Sequence, residues 1–443
     1  MLPPRLLCFV YIFVTATSAQ SSDSSQIFLS GSSLTGSVTG SSEATSPTGS
    51  YESYSSTITA STTLGVLGSI SNGATVFGTG NVTSYISVSS QIILQGSSTT
   101  AVNGTNPTGT STSTSVQPTN TTPCNNYPEF CSRQYSNITE VSAHNSPFDI
   151  PNNVASNQHF DVTTQLNDGI RLLQAQMHFV NGTPHFCHTT CTLLDAGPIT
   201  IWLTEVYDWV STHPYDIVTI ILENGDFQPV TSYVPFIEST GITKYTYIPP
   251  KIPMSLSDWP TLETMILQGK RVVLFMDYNA DQSTVPWILD EFSQLWETPF
   301  DQTNRTFPCT VQRPPNLTPA QAESRMYMTN HNLNYEIDLL GNAILVPFIP
   351  LLDVTNNVTG NGSLGAGVEE CVGIWNFPPK FLDVDFYDVG NGSVFEVAAK
   401  WNGVVYNRTC CGITKSWGLR SVRHVSFAGL VTGVTLVAGT IML

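Results

Sequence analysis

Charge is scarce in this chain. Of 443 residues only 11% are Asp, Glu, Lys or Arg, well under the roughly 25% of ordinary soluble proteins. Cations are the scarcer sign: 16 Lys and Arg stand against 33 Asp and Glu, a formal net charge of −17 at pH 7. Such a chain has no electrostatic footing on nucleic acid phosphates, which excludes that class of partner. Lys, Arg and Cys are missing altogether from 21–122, where 48 of 102 positions are Ser or Thr and the only charges are Asp23, Glu43 and Glu52. A stretch of this kind buries too little apolar surface to offset the entropy of ordering it. It reads as a disordered, O-glycosylated stalk, with some β-forming tendency only between Ser69 and Gln95. A Gly-x-Ser-x-Gly elbow is also absent, which argues against a Ser–His hydrolase of that type.

Uncharged apolar runs occur only at the two ends. Residues 1–19 have the layout of a secretory signal: Arg5, then the nine apolar residues Leu6 to Val14, then Thr17-Ser18-Ala19 before Gln20. Val425 to Leu443 carries no charge; it follows a polar spacer with Lys415, Arg420, Arg423 and His424, and a small-residue cluster around Cys411 and Gly412. This order matches a glycosylphosphatidylinositol attachment signal, with Gly412 or Ser416 as the attachment residue. A retained transmembrane helix is the alternative. The expected divisions are a signal at 1–19, a Ser/Thr-rich stalk at 20–122, a globular region at 123–412 and an anchor signal at 413–443. The protein is therefore expected outside the cell, held to plasma membrane or cell wall by a lipid.

Cysteine use agrees with export. Cys8 leaves with the signal, and the remaining eight, Cys124, Cys131, Cys187, Cys191, Cys309, Cys371, Cys410 and Cys411, are an even number in an oxidising compartment. Short-range pairs Cys124–Cys131 and Cys187–Cys191 are the simplest guesses. Eleven Asn-x-Ser/Thr sequons, among them Asn137, Asn181 and Asn304, mark surface loops of a glycoprotein.

In the globular region strand-like runs alternate with helix-like ones. Expected strands are Ile138–Ala143, Ile170–Phe179, Ile217–Asn224, Tyr245–Ile248, Arg271–Tyr278, Met326–His331 and Leu382–Tyr387. Ile199, Leu203, Val206 and Val210 form one apolar face of a helix over Ile199–Thr212; Val285, Ile288, Leu289, Phe292 and Leu295 suggest another over Val285–Trp296. A shorter helix, Thr261–Gln268, stops at Gly269. This alternation over ~290 residues fits an α/β fold, a distorted TIM (β/α) barrel.

In such a barrel, function resides at the C-terminal ends of strands. The first ends in Ala143-His144-Asn145-Ser146. The second runs through Gln174, Gln176 and His178, which period two places on one face. His185-Phe186-Cys187-His188 follows, then Glu223-Asn224, Asp277-Tyr278, Asn330-His331-Asn332 and Asp383-Val384-Asp385. Two histidines at separate strand ends suit phosphodiester cleavage: one takes a proton from the attacking oxygen and the other gives one to the leaving oxygen. A positive group must also stabilise the charged transition state. His159, His213 and His424 read as structural histidines. His185 to Cys191 has zinc-like spacing, but disulfide use is favoured in an exported chain.

The runs AHNSPF, DGIRLLQAQMH, HFCHTTC followed by LLDAG, DIVTIILEN and GKRVVLFMDY, taken together, resemble the catalytic X region of phosphatidylinositol-specific phospholipases C, and more closely secreted fungal PLC-like phosphodiesterases. The resemblance covers roughly 124–410. It implies a distorted TIM barrel that cleaves a phosphodiester, with His144 as general base and His188 as general acid. Asn145 and Glu223 match two of the four calcium-binding positions of the eukaryotic enzymes. The other two, acidic there, are Gln174 and Gln176 here, and the bacterial, metal-free enzymes place an Arg where Gln176 stands. Weakly held Ca²⁺, or no cofactor, is therefore expected, with His178 and Asp277 beside the site. The resemblance implies attack by an inositol 2-hydroxyl to give a cyclic phosphate and diacylglycerol. A non-catalytic surface protein binding a phosphosugar or glycan is the alternative, and a glycerophosphodiester or phosphosphingolipid is the alternative substrate.

Overall fold

In the computed structural model the described residues are 49–52, 54, 57–59, 121–339 and 342–412. The expected signal, nearly all of the Ser/Thr-rich stretch and the expected anchor signal lie outside them. No helix among the described residues is long and apolar enough to cross a membrane.

The framework is a curled parallel sheet. Its strands are β1 (Glu140–Ala143), β2 (Leu172–Val180), β3 (Val218–Asn224), β4 (Val272–Met276), β5 (Leu289–Asp290), β6 (Leu295–Glu297), β7 (Met326–Asn330) and β8 (Phe381–Val384). Their order around the sheet is β6-β7-β8-β1-β2-β3-β4-β5, every pair parallel. The pairing of β8 with β1, Phe381 opposite Glu140 through Val384 opposite Ala143, joins the two halves. β5 and β6 are not paired with each other, so the distorted barrel keeps a seam there. A single helical turn, Glu291–Gln294, bridges it.

Period two along the strands sorts side chains into two layers. Leu173, Ala175, Met177, Ile220, Leu222, Leu274, Met276, Leu382 and Val384 pack outward with Trp202, Leu203, Val206 and Val210 of the helix Ile199–Thr212. Leu172, Ile221, Val273, Phe275, Leu289, Leu295, Met328 and Phe381 form the inner cluster, closed below by Phe130, Tyr135 and Trp259. Two residues further along each strand, the same inward face turns polar: Gln174, Glu223, Asp277, Glu291, Glu297, Asn330 and Asp383. An apolar plug thus fills the barrel's lower half, and the upper half is a polar mouth.

Most expected strands agree with the observed ones to within a few residues, and the helix Ile199–Thr212 agrees at both ends. Two expectations are corrected. Val285–Trp296 is not one helix: Leu289–Asp290 pairs with Phe275–Met276 of β4, and Leu295–Glu297 starts β6. Its apolar positions are buried in the barrel wall, so strand pairing overrides their helical spacing. Tyr245–Ile248 is not a strand either; Ile242–Tyr245 is a 3-10 turn, and only Thr246 bridges to Val272.

A short part of the Ser/Thr-rich stretch lies on the barrel. Ile58–Thr59 pair antiparallel with Lys251–Ile252. The Tyr51 ring meets those of Tyr278 and Phe292 at centroid distances of 5.5 and 5.0 Å.

Cysteines pair as Cys124–Cys131, Cys187–Cys191, Cys309–Cys371 and the adjacent Cys410–Cys411. Cys309–Cys371 closes the longest loop, a separation of 62 residues, against 4 for Cys187–Cys191. Loop-closure entropy therefore predicts the larger loss from Cys309→Ala/Cys371→Ala, up to about 4 kcal/mol, and about 2 kcal/mol from Cys187→Ala/Cys191→Ala. Urea unfolding of the two double variants checks the order.

Candidate active site

β1 ends at Ala143, and the chain turns at once. Asn145 adopts a left-handed conformation (φ 50°), which Asn tolerates better than most residues, and the Phe148 N–H closes the turn on the Asn145 carbonyl at 2.9 Å. Before the turn, the His144 N–H donates to the Val384 carbonyl at 3.0 Å. His144 is thereby tied to β8, and its Nδ1 lies 2.7 Å from Asp385 Oδ1. Asp385 is itself held: Asn157 Nδ2 donates to Oδ1 at 2.8 Å, and Asn356 Nδ2 donates to the Asp385 and Phe386 carbonyls at 2.9 and 3.0 Å. Phe386 has φ 42°, an unfavourable conformation for an aromatic residue, and it is fixed by donation from its N–H to the Asn157 carbonyl at 2.7 Å. With Nδ1 turned to the carboxylate, Nε2 of His144 faces Asn145 Nδ2 at 3.3 Å and Asn332 Nδ2 at 3.5 Å.

His188 directly follows a short antiparallel strand, Thr183–Cys187, that pairs with the end of β2, so it comes from a hairpin and not from a wall strand of the barrel. The Cys187–Cys191 disulfide brackets it, its N–H donates to the Leu194 carbonyl at 3.0 Å, and its ring lies 5.4 Å from that of Phe148. The two histidines differ in electrostatic environment. Burial lowers the His144 pKa, but the Asp385 carboxylate outweighs it and the value rises to about 9. Burial and the positive charge of His144 push His188 down to about 3. The pair thus shares one proton at neutral pH, held on His144.

Across the mouth stands a cluster of carboxyl groups around one guanidinium. The chain returning from the loop after β6 adds a single antiparallel bridge, Glu297 with Arg313, on the unpaired edge of that strand. Arg313 donates from Nε and Nη2 to Glu297 Oε2 at 3.0 and 2.7 Å. Its guanidinium carbon lies over the Phe292 and Phe300 rings, 5.5 and 4.7 Å from their centroids, and Nη1 is 4.0 Å from Asp277 Oδ2. Glu291 is raised well above its ordinary range, by burial and then by Glu297, with which it is hydrogen-bonded. One proton held by Glu291 and donated to Glu297 explains why these neighbours are buried together. Burial also raises Glu223 to about 8, against the opposing charge of Arg313, and Asp277 to about 6.

The sequence-derived candidates are distributed as follows. His144, Asn145 and Asn332 meet at one Nε2. Gln174 Nε2 donates to Asp383 Oδ2 at 3.1 Å, and Asp383 also accepts from Ser142 Oγ at 2.5 Å. Gln176 Oε1 is 3.0 Å from His178 Nε2, and His178 Nδ1 is 2.7 Å from Asp226 Oδ1, so His178 belongs to a rim pair rather than to the histidine couple. Asp277 Oδ1 accepts from the Asn224 and Tyr278 N–H groups, both at 2.7 Å.

Calcium takes about 6–8 oxygen ligands, carboxylates foremost. Among the described residues no three His, Cys, Asp or Glu side chains are grouped to hold a metal ion. Asn145 turns its amide nitrogen towards His144, Gln176 gives its oxygen to His178, and Glu223 favours its protonated form. These residues do not fit a calcium cage. The residues that reading the sequence missed include Asn157, Glu291, Glu297 and Arg313. Asp385 lay in a strand-end motif that sequence reading flagged, but its partner is 241 residues away. Nothing local distinguishes Arg313 from other loop arginines.

Residues 130–402 match the family model PI-PLC X 1. An "Uncharacterized secreted protein" of the fungus Arthroderma benhamiae is 55% identical over 319 residues, 72% of this chain and 72% of its own length. A "PI-PLC X domain-containing protein 1" of the same fungus is 39% identical over 284 residues, 63% of this chain and 90% of its own. Among solved structures, the phosphatidylinositol-specific phospholipase C of Listeria monocytogenes aligns with a TM-score of 0.40 at 13% identity, over 60% of this chain and 94% of that one.

The opposed histidine environments predict two well-separated titrations in an NMR experiment on the imidazole Cε1–H resonances, His144 near 9 and His188 near 3. Asp385→Asn removes the largest raising charge and leaves burial opposed only by Asp383 and Glu223, so the His144 midpoint should fall well below 9. An unmoved midpoint would contradict the account.

Proposed function

The chain belongs to the PI-PLC X family, and from that membership we propose an exported phosphodiesterase that cleaves a phospholipid-type phosphodiester by proton exchange through His144 and His188. The observation that carries this reading is the partly exposed His144 imidazole held 2.7 Å from the buried Asp385 carboxylate, with the buried His188 imidazole close enough to feel its charge. An attacking hydroxyl, of the substrate or of water, gives its proton to the bare imidazole, and the leaving oxygen takes one from the protonated imidazole. The resemblance assigns the base to His144 and the acid to His188, whereas the resting proton sits on His144. The assigned roles therefore require the negative charge of the bound phosphodiester to raise the proton affinity of the His188 imidazole before the leaving oxygen is protonated. Asp385 then orients the imidazole of His144 and stabilises it again when it gains a proton. Protonated Glu223 can donate a hydrogen bond to the substrate.

The fungal relative named as secreted supports export, as do the paired cysteines. A lipid anchor on membrane or cell wall rests on the C-terminal sequence, and an inositol head group with diacylglycerol as product rests on the resemblance. A panel of inositol, glycerol and sphingolipid phosphodiesters, assayed with calcium and with chelator, decides the head group. Turnover insensitive to the chelator is expected. A folded wild-type protein without turnover on any of them, yet binding phosphosugars, would favour the binding-protein reading.

His144→Ala and His188→Ala should each lower turnover by about 10²–10⁴, and the double variant should be little worse than either alone. His159→Ala, whose half-exposed ring pairs with Asp388 and makes no hydrogen bond to His144 or His188, is the control. The pH profile of kcat/KM should be flat between limbs near 3 and 9. Below the lower limb His188 gains a second proton for the pair; above the upper limb His144 loses the only one. Asp385→Asn should bring the alkaline limb down.

A further inference from the structure

We infer that Arg313 is the phosphate-binding cation of this site, reaching the mouth from the seam of the barrel rather than from a strand of its wall. The inference rests on the phosphodiesterase reading for its substrate, though not for its anion chemistry. Phosphodiester cleavage needs positive charge beside the phosphoryl oxygens, and neither a calcium cage nor a cation at Gln176 is present among the described residues. Arg313 is the guanidinium that the acidic side of the mouth encloses. Three features distinguish it from a structural arginine.

Its orientation is fixed. Glu297 holds Nε and Nη2, and the guanidinium carbon lies over the Phe292 and Phe300 rings. Its remaining nitrogen is unspent in hydrogen bonding: Nη1 makes no hydrogen bond to the described residues, and its ion pair with Asp277, at 4.0 Å, is beyond hydrogen-bonding distance. Burial limits the negative charge around it. Glu291 and Glu297 share a proton and burial favours the neutral form of Glu223, so the anions that face the guanidinium are Glu297, hydrogen-bonded to it, and Asp277, 4.0 Å from Nη1. A guanidinium clamped by a carboxylate on one side and bearing free N–H groups on the other is a preorganised donor for a phosphoryl oxygen. Glu297 acts as a positioning residue through Arg313. No proton or bond is exchanged in this step; Arg313 donates N–H hydrogen bonds to a non-bridging oxygen and offsets the charge that grows there.

The test uses the mature chain with Arg313→Lys, Glu297→Gln and the double variant Arg313→Met/Glu297→Gln, which avoids leaving a buried carboxylate unpaired. Inorganic phosphate binding is followed by calorimetry, and phosphodiester turnover is followed separately. The double variant should lose at least about tenfold in phosphate affinity, the order of one charge-assisted hydrogen bond, and about 10²–10³ in kcat. Arg313→Lys, which keeps the charge and loses the fork, should fall between it and wild type. Glu297→Gln should keep most phosphate affinity and lose turnover through misplacement. If the double variant does not fold, the lysine variant carries the test by the same two readings. Wild-type phosphate affinity and turnover in the Arg313 variants, with His144→Ala inactive, would overturn this inference and leave the proposed function standing. Arg313-dependent phosphate binding in a protein that cleaves no phosphodiester would do the reverse. Failure of the wild-type chain to bind phosphate at all would also overturn it.

Discussion

The pairing of β8 with β1 is the contact on which the site depends. It sets Val384 opposite Ala143, so the next residue of β1 bonds to the Val384 carbonyl and the residue after Val384 offers its carboxylate to the imidazole. A carboxylate and an imidazole 241 residues apart meet because two parallel strands end in register. A slip of one residue would turn His144 and Asp385 to opposite faces. The pairing is secured lower down as well, where Lys380 Nζ lies 2.6 Å from Glu140 Oε2 beneath the apolar plug. Breaking either partner of such a buried pair leaves an uncompensated charge, so the same closure that builds the site is also costly to disturb.

The second constraint is the seam. A fully closed parallel barrel would pair β5 with β6 and leave no edge for a loop to enter. Here a strand of two residues is followed by one helical turn, and the unpaired edge of β6 takes its partner from Arg313 instead. That substitution brings a guanidinium into a mouth otherwise rich in carboxyl groups. The mouth therefore has two electrostatic halves. On one side His144 holds a proton under the control of Asp385 while His188 stays neutral; on the other a cation is enclosed by acids, of which burial neutralises Glu223 and Glu291 while Glu297 stays charged. A phosphodiester, one negative charge flanked by two oxygens that trade protons, complements both halves.

Much of this was legible in the residues. The alternation of β-branched runs with 3.6-period segments gave the α/β class, and the helix Ile199–Thr212 could be read at both ends because its apolar face repeats cleanly. His144 and His188 could be proposed because each sits in a motif whose order along the chain resembles a known family. Val285–Trp296 was misread because a strand, a turn and a strand that are all buried have no polar face to reveal their period. Arg313 was not legible at all. It stands in a Pro-rich loop with no repeating pattern, and its role follows from the geometry of an edge 16 residues earlier in the chain.

What the sequence alone determined is what depends on local pattern and composition: the low charge and Ser/Thr-rich stretch, the even set of cysteines, the strand ends that carry histidines, and the family they resemble. Only the tertiary structure decided what depends on strands distant in the chain coming into register. It joined Asp385 to His144, removed Gln176 and His178 to a rim pair, gathered acids around Arg313, and set opposite proton affinities on two histidines of identical chemistry. Proton affinity is a property of burial and neighbouring charge, and neither exists until the barrel has closed.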